Sequence, residues 1–529
     1  MQHNRPQLLQ SLPRRSWLIA LLLGVASAGG FAPLGIWPLA LAGLGLFTLL
    51  IPLTQSWKQA AFLGWLFGLG HFTFGNNWIA TAFTYQANMP AILGWAAVPV
   101  GSAYLAIYPA LAIGAARAIC GRRRGMASAL TLAALWIGAE WLRSWTIAGY
   151  AWNPFAMVLL GPMDRPGLAA LAPWMGTYAL SGLAVLIAAG VAQLALAKRW
   201  LSAALVSALL AAGMYLPGGE AEEGSLAVTL VQPGIAQDRV NDPRFYEANF
   251  TRLAQLSLPE LREDGDSDRR LVLWPESGMA DYLESGYPQA YYNRTTALGS
   301  PEYARNRIAQ TIGEGGLLIT GGQRLALEEG RLVGAYNSVL AVDDQGQIAD
   351  VYDKSTLVPF GEYLPLRWLM EPLGLSRLVP GAIDFLPGDG PQNFALGEYG
   401  NVAVQVCYEI IFSGRIVESG QRPDFIYTGS NDGWFGAFGP PQHFAQARMR
   451  AIEEGLPVLR STTSGISGII DARGVVRHAI GDNQSGRIDA LVPQAAAPTL
   501  FSILGNWLAL GWAIVFLLIA FVALRKSGG

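Results

Sequence analysis

Three reactive side chains each follow an apolar run that predicts a buried β-strand. Glu276 lies in LVLWPES, Lys354 in VYDKSTLVPFGEY, and Cys407 in VAVQVCYEI. Open α/β sheets present their active sites at strand ends, so these groups are candidates for one site. Together a carboxylate, an ammonium and a thiol suffice for acyl transfer. The carboxylate takes the thiol proton, the thiolate attacks a carbonyl, and the ammonium stabilises the developing oxyanion.

Residue usage strengthens this interpretation of the lysine and the cysteine. Lys354 is the only lysine between residues 218 and 502, in a chain that otherwise uses arginine for most of its positive charge. Cys407 has no second cysteine in the same region to pair with. Taken singly, each residue has an ordinary explanation, because a cysteine in an apolar strand is usually a small buried hydrophobe and a lone Lys or Glu usually faces solvent. The combination favours a functional site.

The elements that must position these residues alternate between short β-rich runs and amphipathic helices, a pattern typical of helices packed on β-sheets. A long Pro-rich segment, 356–393, is predicted to be a functional loop or lid. The predicted strands are 226–235, 270–277, 317–325, 335–344, 348–354, 401–410, 424–431, 457–465, 468–474 and 487–493, and the predicted helices are 247–263, 303–316 and 443–455.

The composition of the whole chain indicates a membrane protein. Only 14% of residues are charged and 52% are hydrophobic, whereas soluble proteins carry about 25% charged residues. This composition excludes a soluble enzyme, a disordered chain and a nucleic-acid-binding protein. A membrane-spanning helix needs about 20 mostly apolar residues. We predict eight spans, at 16–35, 37–53, 58–78, 91–117, 126–146, 173–197, 200–217 and 503–524.

Basic residues predict the orientation of these spans. Lys and Arg cluster at the N terminus, in every second loop and after the last span, and cytoplasmic loops carry such an excess. Both termini are therefore expected in the cytoplasm, and the segment 218–502 is expected outside it. We predict three parts: a membrane domain at 1–217 with seven spans, an external catalytic domain at 218–502, and an eighth span with a cytoplasmic tail at 503–529. The basic clusters are Arg5, Arg14 and Arg15; Lys58; Arg117 and Arg122 to Arg124; Lys198 and Arg199; and Arg525 and Lys526.

The motifs WPES, K-x-x-L-V-P-F-G-E-Y-x-P and C-Y-E resemble the Glu-Lys-Cys signature of the nitrilase superfamily. With seven predicted spans before this domain and one after it, essentially the whole chain resembles the bacterial apolipoprotein N-acyltransferases. The resemblance implies an αββα sandwich outside the membrane, joined to a bundle of eight transmembrane helices. One position departs from the family pattern, since Asn241 stands where family members often carry Trp.

The resemblance also implies the residue roles. Glu276 would be the general base, Lys354 the oxyanion-side cation and Cys407 the nucleophile. The backbone N–H of Tyr408 would be a second oxyanion donor, and Glu362 and Glu409 would be supporting acids. The predicted pocket-flanking residues, in NDGWFG, are Asn431, Trp434 and Phe435, with Trp434 as an acyl-chain contact.

The reaction implied by the resemblance is the last step of lipoprotein maturation. The enzyme would take an acyl chain from a phospholipid, typically phosphatidylethanolamine, hold it as a thioester, and transfer it to the α-amine of the diacylglyceryl-cysteine that begins an apolipoprotein. It would work as a monomer in the bacterial inner membrane with its catalytic domain in the periplasm. No cofactor, metal or nucleic acid is implied.

Two other functions are compatible with the residues alone. A membrane-anchored amidase or nitrilase-type hydrolase would use the same triad on water, although a soluble substrate needs no bundle of helices. A transporter with an external binding domain would need charges in the middle of its spans, where the sequence has almost none. His443 follows PPQ at the start of a predicted helix. We expect it to be a helix cap or a polar contact rather than a catalytic group.

Overall fold

In the computed structural model, the described residues are 12–85, 90–146, 149–219, 222–259, 269–373, 384–418 and 420–526. Arg5 of the first basic cluster, residues 260–263 of the predicted helix 247–263, and residues 374–383 of the predicted loop lie outside these ranges. The chain forms two compact units. The first consists of Met1–Ala80, Ile92–Pro217 and Thr499–Gly529, and the second of Thr81–Ala91 and Gly218–Pro498.

The first unit is helical, as its apolar sequence predicts. In its described part, three helical stretches are long and apolar enough to cross a bilayer by length and composition, namely Ile92–Cys120, Leu168–Leu196 and Asn506–Lys526. The eight predicted spans fall on helices, with 91–117 covering two consecutive ones, but the number that cross the membrane stays a prediction. The helices are Ser16–Ala28, Trp37–Thr48, Trp57–Gly75, Ile92–Leu105, Ile107–Cys120, Met126–Arg143, Ala172–Leu196, Trp200–Met214, Leu500–Leu504 and Asn506–Lys526, with Ile79–Ala82 at the boundary between the units.

Glycine allows close helix packing in this unit. A side chain at Gly24 would overlap the carbonyl oxygen of Phe67, and one at Gly70 would overlap that of Leu21. The helices Ser16–Ala28 and Trp57–Gly75 therefore approach backbone to backbone at both points. Small residues at helix contacts serve this purpose in membranes, where the lipid is as apolar as the side chains and tight packing drives association.

The described part of the second unit contains two six-stranded sheets, which confirms the predicted α/β character of this region. The strands are β1 (Glu223–Gln232), β2 (Arg270–Leu273), β3 (Gly316–Glu328), β4 (Arg331–Asp343), β5 (Ile348–Asp353), β6 (Asn393–Ala395), β7 (Asn401–Val406), β8 (Phe425–Ser430), β9 (Val458–Thr462), β10 (Ser467–Ile470), β11 (Val476–Ile480) and β12 (Gly486–Pro493). One sheet has the order β12-β1-β2-β3-β4-β5, and the other has the order β11-β10-β9-β8-β7-β6.

The centre of each sheet is parallel and its flanks are antiparallel. In the first sheet, β1, β2 and β3 run parallel, and β12, β4 and β5 complete it in antiparallel pairs. In the second sheet, β7, β8 and β9 run parallel between antiparallel neighbours. The strands β2 and β5 therefore end at the same edge of the first sheet, and β7 and β8 end at the same edge of the second.

Helices cover the sheets and account for the apolar strands. Helices Tyr246–Ser257 and Pro301–Ile312 pack on the first sheet through a core that includes Phe250, Ile308 and Val272. Helix Gly439–Glu454 packs on β9 and β10 of the second sheet. Strands covered on both faces have no solvated side, so β2 and β8 are nearly continuous runs of buried residues. The remaining short helices of this unit are Gln237–Val240, Gln289–Thr295 and Arg367–Met370.

Candidate active site

The nucleophile candidate lies in a strained turn at the end of β7. Cys407 begins the 3₁₀-helix Cys407–Ile411 directly after the strand. Its φ is +50°, in the left-handed region that residues with a side chain rarely adopt. Holding a residue there costs about 1–3 kcal/mol, and such strain is concentrated at functional sites. The thiol is buried, with 5% of Cys407 exposed.

Glu276 follows β2 and is held by hydrogen bonds to both carboxylate oxygens. The side-chain amide of Asn337 donates to Oε1 at 2.7 Å, and the backbone N–H of Asn431 donates to Oε2 at 2.7 Å. Burial raises the pKa of Glu276 above its ordinary value, although the charge of Lys354 acts in the opposite direction. A carboxylate with a raised pKa is a stronger base, which suits a group that must accept a thiol proton.

Lys354 directly follows β5 and is paired with Glu362. Its Nζ lies 2.9 Å from Glu362 Oε1, and the two side chains are 1% and 6% exposed. The same oxygen accepts from the Asn337 amide at 3.0 Å, and Oε2 accepts from the backbone N–H of Val358 at 2.8 Å. Burial alone would lower the pKa of Lys354, but the charges of Glu362 and then Glu276 outweigh it and raise the pKa. The ammonium is therefore kept charged inside the domain.

The structure brings the three predicted catalytic side chains close enough for their charges to act on one another. Burial raises the pKa of the Cys407 thiol, and the charge of Glu276 raises it further, while Lys354 acts to lower it. The net effect is a pKa above the ordinary thiol value, so the resting thiol keeps its proton. The thiolate must then form during the reaction, as a neighbouring base removes the proton. The catalytic roles of the three residues stay a prediction.

Glu409 ties the nucleophile turn to the lysine-bearing loop. Its Oε2 accepts from the backbone N–H of Val406 at 2.9 Å. Its Oε1 accepts from the hydroxyl of Tyr352 at 2.8 Å, from the N–H and hydroxyl of Ser355 at 2.8 Å each, and from the N–H of Thr356 at 3.0 Å. A single buried carboxylate thus fixes the residue before the nucleophile relative to the residues after the lysine.

The remaining predicted site residues lie next to this centre or in the loop after β8. Asn431 contacts Glu276 through its backbone, and its side chain caps the following turn. Tyr408 is buried, and its ring lies 5.2 Å from that of Phe412. Trp434 is half-buried, and Phe435 is buried.

Sequence reasoning missed three residues of this site. Asn337 links Glu276 to the lysine's partner, and Asp432 and Arg460 form a fully buried ion pair at 2.7 Å. Asn337 and Arg460 could have been noticed as lone polar residues in apolar strands, since polar side chains in such positions need buried partners. His443 is buried in helix Gly439–Glu454, four residues after its start. It makes a polar contact, as expected, and is not a helix cap.

A two-sheet αββα domain with a buried thiol, carboxylate and lysine at its strand ends defines a protein of the carbon–nitrogen hydrolase class. The carbon–nitrogen hydrolase family model matches residues 228–498. The model for the N-terminal domain of apolipoprotein N-acyltransferases matches residues 23–190. The chain belongs to the apolipoprotein N-acyltransferase family, which confirms the resemblance found in the sequence.

Relatives match over nearly the full length of the chain. The apolipoprotein N-acyltransferase of Rhodopseudomonas palustris is 34% identical, over 96% of this chain and 95% of that protein. That of Bradyrhizobium diazoefficiens is 32% identical, over 96% of this chain and 94% of that protein. Among solved structures, Nit3 of Saccharomyces cerevisiae, from the nitrilase superfamily, is 17% identical, with a TM-score of 0.34 over 51% of this chain and 90% of that one. An amidase from Nesterenkonia is 15% identical, with a TM-score of 0.32 over 52% and 94% of the respective chains.

Proposed function

We propose that this protein transfers an acyl chain from a membrane phospholipid to the N-terminal α-amine of the diacylglyceryl-cysteine of apolipoproteins, through a thioester on Cys407. The observation that carries the proposal is the juxtaposition of a strained, buried thiol with Glu276 and Lys354 in a chain of this family. Relatives that share nearly the whole length carry the acyltransferase name, which favours this function over a membrane-anchored hydrolase.

In the first half-reaction, the Glu276 carboxylate takes the thiol proton as Cys407 sulfur attacks the ester carbonyl of the phospholipid. The new carbon–sulfur bond leaves a negative oxygen, which the Lys354 ammonium and the backbone N–H of Tyr408 stabilise. When this intermediate collapses, the carbon–oxygen bond breaks and the lysophospholipid alcohol leaves with the proton held by Glu276. The acyl chain stays on sulfur as a thioester.

In the second half-reaction, the neutral α-amine of the acceptor attacks the thioester carbonyl. Glu276 takes a proton from the attacking nitrogen, and the same cation and N–H stabilise the oxyanion. The carbon–sulfur bond then breaks, the amide is released, and the leaving sulfur regains its proton from Glu276. Each half-reaction therefore returns the carboxylate to its starting state, and no other proton donor is needed.

Burial of the site favours transfer to an amine over loss to water. The Cys407 and Lys354 side chains are almost wholly buried, and a site that keeps water away protects a thioester from hydrolysis. Both proposed substrates carry acyl chains, so a membrane-embedded enzyme meets them at the bilayer surface. We propose Trp434 as a contact for the acyl chain, because it is half-buried in the loop after β8 and its ring packs 5.8 Å from that of Tyr85.

The proposed setting is the bacterial inner membrane. The chain would cross it eight times as a monomer, with both termini in the cytoplasm and the catalytic domain in the periplasm, and phosphatidylethanolamine would be the acyl donor. The basic clusters in alternate loops support this orientation. A reporter enzyme that is active only in the periplasm, fused near residue 480, should be active, and an inactive fusion would show that a span has been miscounted.

The acyl-transfer proposal is tested by the mass of the intact protein. Purified enzyme incubated with phosphatidylethanolamine should gain one acyl group, on Cys407, and release lysophospholipid. Addition of a diacylglyceryl-cysteinyl peptide should remove the group and give the N-acyl peptide, and Cys407→Ala should do neither. Absence of a wild-type adduct together with absence of N-acyl peptide would overturn the proposal. Release of free fatty acid, without transfer to the added amine, would identify a hydrolase instead.

A further inference from the structure

A buried histidine contacts the backbone of the proposed nucleophile. His443 is fully buried, and its Nε2 lies 3.0 Å from the carbonyl oxygen of Cys407. A carbonyl oxygen only accepts hydrogen bonds, so Nε2 must carry a hydrogen and donate it. The hydrogen bond joins helix Gly439–Glu454 to the turn that ends β7, across 36 residues of sequence.

The other ring nitrogen is held by a buried ion pair. His443 Nδ1 lies 3.0 Å from Arg460 Nη2 and 3.0 Å from Asp432 Oδ1, and Arg460 Nη2 contacts both oxygens of Asp432, at 2.9 and 2.7 Å. Burial and then the charge of Arg460 lower the pKa of His443, against the effect of Asp432. Nδ1 therefore lies against both members of the ion pair, and these contacts fix the orientation of the ring.

The carbonyl that His443 holds shares a peptide plane with the N–H of Tyr408. In a trans peptide the C=O of one residue and the N–H of the next are coplanar and point in opposite directions. A donor that fixes the direction of the Cys407 carbonyl consequently fixes the direction of the Tyr408 N–H. In the mechanism above, this N–H is one of the two groups that stabilise the oxyanion.

The turn has reason to need this support. The left-handed φ of Cys407 is unfavourable for a residue with a side chain, so the peptide that follows it would relax without contacts that hold it. Glu409 holds the residue on one side of Cys407 through the N–H of Val406. His443 holds the peptide on the other side.

We propose that His443 is a positioning residue that locks the peptide plane between Cys407 and Tyr408 and so aims the Tyr408 N–H at the oxyanion. Asp432 and Arg460 orient the ring through their contacts with Nδ1. His443 exchanges no proton with either substrate. This inference rests on the proposed function, because it assigns a task within the acylation of Cys407.

Two reactions of the same thiol separate this role from a general structural one. Alkylation of Cys407 by iodoacetamide needs the thiol and its base but builds no oxyanion. Acylation by phosphatidylethanolamine needs the thiol, the base and the donors that stabilise the oxyanion. His443→Leu should slow acylation by about 10- to 100-fold, since loss of one oxyanion donor costs about 100- to 1,000-fold and this donor is only misaligned. Alkylation, measured on the peptide that contains Cys407, should change by less than about twofold.

Replacements that keep or lose the donor complete the test. His443→Gln can place a side-chain N–H near the position of Nε2 and should restore most of the acylation rate. His443→Asn is too short to reach the Cys407 carbonyl and should behave like His443→Leu, which keeps the test open if the leucine variant does not fold. The exposed His478→Leu is the matched control and should leave both rates unchanged.

The outcomes are distinguishable from failure of the proposed function. If the wild-type protein forms no acyl adduct on Cys407, the proposed function fails and the inference falls with it. If wild-type protein is acylated and His443→Asn is acylated at the same rate, the positioning role alone is wrong. Equal losses of acylation and alkylation would also overturn it, because they would show that the thiol itself had been displaced.

Discussion

Replacement of Glu362 by glutamine tests the electrostatics of the site most directly. Glu362 accepts hydrogen bonds from Lys354 Nζ at 2.9 Å, from the Asn337 amide at 3.0 Å and from the Val358 N–H at 2.8 Å. All three partners are donors. A glutamine keeps one acceptor oxygen and turns an amide N–H₂ toward at least one of these donors, and it leaves the lysine without its closest counter-charge.

The size of the effect follows from burial. Lys354 and Glu362 are 1% and 6% exposed, and removal of one partner from a buried ion pair costs about 3–5 kcal/mol because the other charge is left uncompensated. Of the other acids that act on the ammonium, Glu276, the proposed base, has the largest effect, and it would be drawn into pairing with Lys354. If about 3–4 kcal/mol of this cost is added to the activation free energy, acylation of Cys407 slows by about 100- to 1,000-fold.

The pH dependence of the acylation rate gives a second, independent test of the same pairing. In the wild-type protein the raised pKa of Lys354 keeps the ammonium charged, and the contribution of its pairing is lost only as the pH rises through that elevated value. Without Glu362, the pKa falls, because burial favours the neutral amine. The acylation rate of the Glu362→Gln variant should therefore decline at alkaline pH where the wild-type rate does not.

Single-turnover acylation by phosphatidylethanolamine, followed by intact mass between about pH 6 and 10, measures both effects. Glu398→Gln is the matched control, since Glu398 is 75% exposed in an ion pair with Arg269 at 3.2 Å. An exposed pair contributes at most about 1 kcal/mol, so this variant should be acylated like the wild type. A Glu362→Gln variant that is acylated at the wild-type rate, with no additional decline at alkaline pH, would refute the electrostatic argument.

Other substitutions probe the remaining contacts. Cys407→Ala should abolish thioester formation and Cys407→Ser should reduce turnover by about a thousandfold or more, because a hydroxyl is a poorer nucleophile and holds its proton more tightly; measurable turnover by the alanine variant would exclude Cys407 as the nucleophile. Lys354→Arg should slow acylation by about a hundredfold or more in the same assay, since a planar guanidinium does not fit a fully buried site shaped for an ammonium, and normal activity would mean that a point charge is not needed. Glu409→Gln should turn a side-chain N–H₂ toward the N–H and O–H donors that the carboxylate now accepts from, and should lower the free energy of unfolding by about 1–3 kcal/mol. An unchanged acylation rate and unfolding temperature would contradict this. Asn337→Asp should place another carboxylate beside Glu276 and raise its pKa, so that the acid limb of the acylation profile moves to higher pH by about one unit, and a limb that stays in place would count against Glu276 as the titrating base.

The amino-acid sequence alone determined two things about this protein: that it contains membrane helices, and which family it belongs to. Low charge and long apolar runs indicate membrane helices, because a surface without charge must face lipid. The motifs around Glu276, Lys354 and Cys407 identified the family, since these residue types at these strand ends suit one kind of chemistry. Neither conclusion needs any knowledge of which strands are neighbours.

Only the tertiary structure decided how the groups are arranged. Glu276 follows a strand of the first sheet, whereas Cys407 and Asn431 follow strands of the second, so their contacts depend on how two sheets face each other. Asn337 and His443 entered the site through hydrogen bonds that span 61 and 36 residues of sequence. Periodicity reports which face of an element is buried, but not which partner that face meets. Hydrogen bonds between buried polar groups are fixed only when the whole core has packed.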